Sequence, residues 1–107
     1  MPPGENVKPK RWSNVIYLYD DGGYSAIWGN YHDDDGSNDL CLGVRWNGGE
    51  GEYGYPKQGV YPLWYVEPHF VTRDILLSLL YRLAQNTSLQ GCQGYQQNIL
   101  VALSECQ

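Results

Sequence analysis

The apolar residues of this chain follow two different periods, and the change from one to the other occurs near Pro68. Before it, residues 15–19, 24–28 and 40–46 are rich in β-branched and aromatic side chains, which is typical of strands. After it, apolar residues recur every three or four positions, which indicates helices. Strands followed by helices predict an α+β fold, because a parallel nucleotide-binding sheet would alternate the two.

Turn residues divide the first part into a meander. The segment Asp20–Gly23 suits a tight hairpin turn, and the polar segment 32–38 forms a second turn. A glycine-rich stretch, 47–59, precedes a fourth strand over 60–66, which Pro62 restricts to the sheet edge. The prediction is a four-stranded antiparallel meander sheet followed by two C-terminal helices packed on one face.

The first predicted helix has two apolar stripes. Thr72 is its expected N-cap, with Asp74 in the first turn. One stripe is formed by Ile75, Leu76, Leu79, Leu80 and Leu83, and the other by Leu77, Tyr81 and Ala84. We therefore expect this helix to be covered on more than one side. A second helix follows from the spacing of Tyr95, Ile99, Leu103 and Cys106.

The length of 107 residues fits one domain. Residues 1–11 contain three prolines and a net charge of +2, so we predict an extended arm over 1–11 and a single α+β domain over 12–107. The first ten residues have no apolar signal segment, and no apolar run reaches the roughly 20 residues of a membrane span. A cytoplasmic protein without membrane contact is expected.

Charge and cysteine usage exclude further classes. Residues 20–52 hold eight carboxylates against the single cation Arg45, a net charge of −7. Such a surface repels phosphates, so nucleic acid is not an expected partner. Three cysteines without a C-x-x-C spacing fit neither a disulfide framework nor a zinc site. We expect reduced thiols, no metal and no cofactor.

Both faces of the predicted sheet are largely apolar. Pairing through either Asp21-Gly22 or Gly22-Gly23 places these residues on one face: Val15, Tyr17, Tyr19, Tyr24, Ala26 and Trp28. Pairing of Tyr31 with Asp39 adds Leu40, Leu42, Val44 and Trp46. The opposite face carries Ile16, Leu18, Ser25, Ile27, Tyr31, Cys41, Gly43 and Arg45. Two helices cover only one face, so a second copy of the chain, as in a dimer, or a protein or small-molecule ligand is expected on the other.

Two familiar motifs match part of the sequence in residue type but lack other features that each motif requires. Residues 49–54 read G-x-G-x-x-G, but no helix pattern follows and two glutamates would repel a pyrophosphate. The run Asp33-Asp34-Asp35-Gly36 resembles the start of a calcium loop, but Tyr31 and Leu42 stand where oxygen ligands are required. A solvated turn is the preferred interpretation of the aspartates.

One block of sequence resembles a known group of proteins. Leu42-Gly-Val-Arg-Trp-Asn-Gly48 and Gly59-Val-Tyr-Pro-Leu-Trp64, with Pro68 and the leucine-rich helix after them, are similar to small bacterial proteins of integron gene cassettes. The resemblance covers about residues 40–84. These proteins have no shared activity, so it implies an accessory bacterial protein and assigns no catalytic residue.

The leading hypothesis is a non-enzymatic, oligomeric binding module. Its contact site is an aromatic sheet surface formed by Tyr17, Tyr19, Trp28, Arg45 and Trp46. One alternative is an acidic decoy or inhibitor of a basic protein, acting through Asp33, Asp34 and Asp35. Another is a small enzyme that uses His32, Cys41 or His69, although the sequence shows no complete catalytic constellation.

Overall fold

A four-stranded antiparallel sheet and two helices form the structure, a computed structural model that describes residues 11–106. The elements are β1 (Trp12–Asp20), β2 (Tyr24–His32), β3 (Asn38–Trp46), β4 (Lys57–Gln58), β5 (Tyr61–Pro62), β6 (Tyr65–Val66), α1 (His69–Gln85) and α2 (Cys92–Glu105). The strand order in the four-stranded sheet is β1-β2-β3-β6. The α+β prediction, with two C-terminal helices, is confirmed. The predicted N-terminal arm lies outside the described residues except for Arg11.

The register of β2 and β3 is the one that the sequence predicts. Tyr31 lies opposite Asp39, and Ala26 lies opposite Val44. One cluster buries this side of the sheet against both helices, with Trp28, Leu42, Leu76 and Ile99 among its members. The helices therefore cover the face on which the alternating apolar residues of β3 fall, since opposite residues in an antiparallel pair point to the same side.

The predicted register of β1 holds at Asp20 and Tyr19 and is wrong before Leu18. Tyr17 pairs with Ile27 and Tyr19 with Ala26, so Leu18 is an extra residue in β1. Such a bulge reverses the side on which the preceding residues point. Tyr17 and Val15 consequently lie on the face opposite the helices, and Ile16 packs with the helix-side cluster.

The chain itself covers part of the second sheet face, which we expected another molecule to cover. Trp64, from the segment after β3, is buried with Ile27, and Trp12 packs against them. Gly43 makes this packing fit, because a Cβ at that position would lie 2.8 Å from the Trp12 ring. The apolar character of this face therefore no longer requires an outside partner to cover it.

The fourth strand is shorter than predicted. Only Tyr65–Val66 joins the sheet, beside β3. The preceding residues form a separate two-stranded ribbon, β4 with β5, in which Lys57 lies opposite Pro62. Because Pro62 has no N–H to donate, it cannot contribute a full set of ladder hydrogen bonds.

The first helix begins earlier than predicted. Pro68 is the N-cap of α1, and the buried Thr72 hydroxyl donates to the Pro68 carbonyl at 3.1 Å within the first turn. Proline suits this position because the first amides of a helix lack intrahelical partners. Within residues 11–106, neither helix has the length and apolar character that a membrane crossing requires.

Candidate functional site

Arg45 is a buried anchor for the segment that follows β3. Only 1% of this residue is exposed. Its guanidinium donates to the carbonyls of Tyr53 (2.6 Å), Pro56 (3.3 Å) and Leu63, and to the Asn47 side chain at 3.3 Å. These acceptors are neutral, and burial lowers the pKa of Arg45 below its ordinary value. The arginine is placed to hold residues 53–63 against the sheet.

An exposed aromatic surface lies beside Arg45, and we define it as Trp46 at the end of β3, Tyr55 in the anchored segment and Tyr65 at the start of β6. Trp46 is 61% exposed and exchanges two backbone hydrogen bonds of 2.8 Å with Tyr55, so the two side chains point to the same side. Tyr65 lies opposite Val44, two residues before Trp46, and therefore shares that side. Tyr24 supports the indole edge-on, with ring centroids 4.7 Å apart.

Three of the predicted contact residues are buried or half-buried within the chain. Tyr19 is buried, its hydroxyl donating to Asp21 (2.9 Å) and accepting from Arg82 (2.7 Å). Trp28 is also buried and donates its indole N–H to Glu105 at 2.8 Å. Tyr17 is half-buried on the second face. Of the five predicted residues, Trp46 alone is exposed.

The acidic turn is solvated, as its composition suggested. Asp33, Asp34 and Asp35 are all exposed. Asp34 forms an ion pair of 2.6 Å with Arg11, and Asp35 accepts the Ser37 amide at 2.8 Å. No group of three or more potential metal ligands occurs among the described residues.

A cleft with both polar and apolar walls lies at the other end of β3, around His69. The Cys41 sulfur is 3.7 Å from His69 Nε2, whereas His32 bonds to Ser13 at 2.7 Å. Two cavities adjoin His69. One, of about 280 Å³, is lined by Trp28, Asp39, Leu40, His69, Thr72, Glu105 and Cys106; the other, of about 390 Å³, contains Cys41 in its wall.

The chemistry of this cleft depends on the protonation of Cys41. Burial, together with the charges of Asp39 and Asp33, raises the pKa of the Cys41 thiol. The resting group is thus a neutral thiol, which can donate a hydrogen bond to His69. It is a weak nucleophile, because only the thiolate is a strong one. A reaction at Cys41 would require His69 to accept the proton first.

Comparison with known proteins adds no relationship. Neither the family models, nor the curated proteins, nor the solved structures contain a match to this chain. The resemblance of residues 40–84 to cassette proteins therefore stays a prediction.

Sequence reasoning missed two features of the site. The exposed tyrosines of 53–65 stand in a glycine- and proline-rich stretch, a composition typical of binding loops on rigid scaffolds. That composition could have drawn attention to them. The contact between Cys41 and His69 spans 28 positions and has no local signal, because it depends on where α1 starts relative to β3.

Proposed function

We propose that this protein is a non-enzymatic binding module whose aromatic surface binds an arginine-bearing segment of a protein partner. The observation that carries the proposal is the exposure of the Trp46 indole at the end of β3, beside Tyr55 of the segment that the buried Arg45 holds in place. Large aromatic side chains held in place bind with a small entropic cost, since few rotamers are lost on binding.

The charge around the surface supports a basic partner. Of the eight carboxylates in residues 20–52, Asp20, Asp21, Glu50 and Glu52 lie at the same end of the sheet as Trp46, and the other four lie at the opposite end of β3. The one cation in this range, Arg45, is buried. Glu50 and Glu52 belong to the same segment as Tyr53 and Tyr55. An arginine can stack its planar guanidinium on an indole or phenol ring while it pairs with a carboxylate.

The acidic decoy shares this basic partner but assigns the binding energy differently. In a decoy, the exposed carboxylates of Asp33, Asp34 and Asp35 dominate, so binding falls steeply with salt. In the proposed module, ring contacts dominate and persist in salt.

Our proposal also includes a cytoplasmic, accessory role in bacteria, supported by three free cysteines, which are typical of a reducing compartment.

Titration with fluorescein-labelled arginine and lysine nonamers tests the proposal. We expect the arginine peptide to bind more tightly, and to remain bound in about 0.5 M NaCl, where the Debye length is only a few ångströms. Trp46→Ala should raise its dissociation constant by about tenfold, a typical effect of losing a central aromatic contact. Asp34→Ala should raise it less than about twofold, because this exposed carboxylate is well solvated.

Two results would contradict the proposal. If Asp34→Ala weakened peptide binding more than Trp46→Ala did, and if the added NaCl abolished binding, the acidic decoy would be correct. If neither nonamer bound, the partner would have a different chemistry from the one proposed.

Self-association is the second part of the proposal. The second sheet face no longer requires it, since Trp12 and Trp64 cover Ile27. Support comes instead from α1, whose Leu77 and Tyr81 remain exposed within the chain.

A second candidate function is thiol-dependent chemistry at Cys41. The distance of 3.7 Å to His69 Nε2 beside a cavity favours it. The raised pKa of Cys41 opposes it, since a cysteine nucleophile is usually activated by a lowered pKa.

A further inference from the structure

The solvent side of α1 carries an apolar stripe that no described residue covers. Phe70 is 85% exposed, Leu77 49% and Tyr81 66%. With 3.6 residues per turn, Phe70, Arg73, Tyr81 and Ala84 all project within about 40° of Leu77. The residues that α1 buries in the core lie elsewhere on its circumference: Thr72, Leu76, Leu79 and Leu83. This helix thus has one apolar face for its own core and a separate one for another molecule.

We propose that the stripe binds the same stripe of a second copy, with the two α1 helices antiparallel about a two-fold axis at Leu77. This inference rests on the self-association part of the proposed function and names its surface. A two-fold interface must be complementary to itself, because each residue meets its counterpart across the axis. The residues on either side of Leu77 must therefore fit each other when the stripe is paired with itself in the opposite direction.

The order of residues along the stripe meets the condition. With Leu77 opposite the partner's Leu77, Phe70 lies opposite the partner's Ala84, a large side chain beside a small one. Arg73 lies opposite the partner's Tyr81, where a guanidinium can stack on the phenol ring. Arg73 forms no ion pair within the described residues, so pairing would not break one.

The area available suits a weak dimer. If a fully exposed aromatic side chain offers roughly 200 Å², the three apolar residues supply on the order of 400 Å² per copy. Two copies would bury about twice that, and the flanking Arg73 and Ala84 bring the total near the roughly 1,000 Å² of weak specific interfaces. We therefore expect dimerisation at micromolar rather than nanomolar concentrations.

Sedimentation velocity over a concentration series tests the interface. Leu77→Asp places two carboxylates next to each other at the axis, so we expect at least a tenfold rise in the dimer dissociation constant. Leu100→Asp is the matched control, since Leu100 is 56% exposed but lies on α2. This control should leave the dimer dissociation constant within about twofold of the value for the unchanged protein. Both changes are at exposed positions, and circular dichroism verifies the fold.

A residue swap tests the antiparallel register. Phe70→Ala alone leaves a gap and Ala84→Phe alone makes two rings collide, so each should weaken the dimer by about tenfold or more. The double variant restores one large and one small side chain at each contact and should recover most of the affinity.

The outcomes separate this inference from the binding function. A monomer throughout the series, equal effects of Leu77→Asp and Leu100→Asp, or a double variant as weak as the single ones would overturn the interface. The nonamer titration reports on Trp46 and not on α1. A monomer throughout the series would overturn the self-association part of the proposed function together with this interface, whereas a dimer that Leu77→Asp does not weaken would overturn the interface alone.

Discussion

Replacing the buried guanidinium with an apolar chain of similar length, Arg45→Met, tests whether it holds the aromatic surface in place. The change removes the donors for three backbone carbonyls, those of Tyr53, Pro56 and Leu63. Leaving a buried acceptor unpaired costs about 1–3 kcal/mol. Removing a desolvated cation offsets part of this cost. We expect the free energy of unfolding to fall by about 4 kcal/mol.

Urea unfolding followed by tryptophan fluorescence and circular dichroism measures this change. For a chain of this size, a loss of about 4 kcal/mol lowers the urea midpoint by roughly 2 M. Trp64 should also become more solvated in the folded state, because its segment is no longer anchored. The control Lys57→Met removes an exposed cation of the same segment and should change stability by less than about 0.5 kcal/mol. If Arg45→Met lost no more than about 1 kcal/mol, the anchoring argument would be wrong.

Two further predictions concern titrating groups. Burial, and secondarily the charge of Glu67, raises the pKa of Tyr24 to about 12, against about 10 in the unfolded chain. The folded state therefore favours the neutral phenol, and this contribution is complete below pH 10 and lost as the pH rises through 12. Tyr24→Phe should reduce the fall in unfolding free energy between pH 10 and 12, measured in urea; an unchanged slope would contradict the assignment. At pH 7.5, iodoacetamide should alkylate Cys41 more slowly than Cys106, because the raised pKa of Cys41 limits its thiolate. Mass spectrometry of the labelled peptides measures both rates, and a fast Cys41 that is slowed by His69→Gln would favour the thiol-dependent function instead.

Much of the candidate site escaped prediction because burial is a tertiary property. Trp28 and Trp46 are both strand residues on the same face, yet one lies beneath the helices and the other extends beyond them. Their alternation along the strands is the same, so no local pattern distinguishes them. Arg45 likewise has the spacing of an inward residue, but the backbone carbonyls that it binds come from positions 8 to 18 residues later.

The sequence by itself determined the order of elements and the β2–β3 register. Leu42 and Val44 share a face in any register because side chains alternate along a strand, and pairing Tyr31 with Asp39 puts them on the side of Trp28 and Ala26. The tertiary structure decided the bulge at Leu18, the burial of Trp64 over Ile27 and the contact of Cys41 with His69. Each of these depends on how distant segments share space, because their stabilising contacts exist only after the sheet and helices have packed.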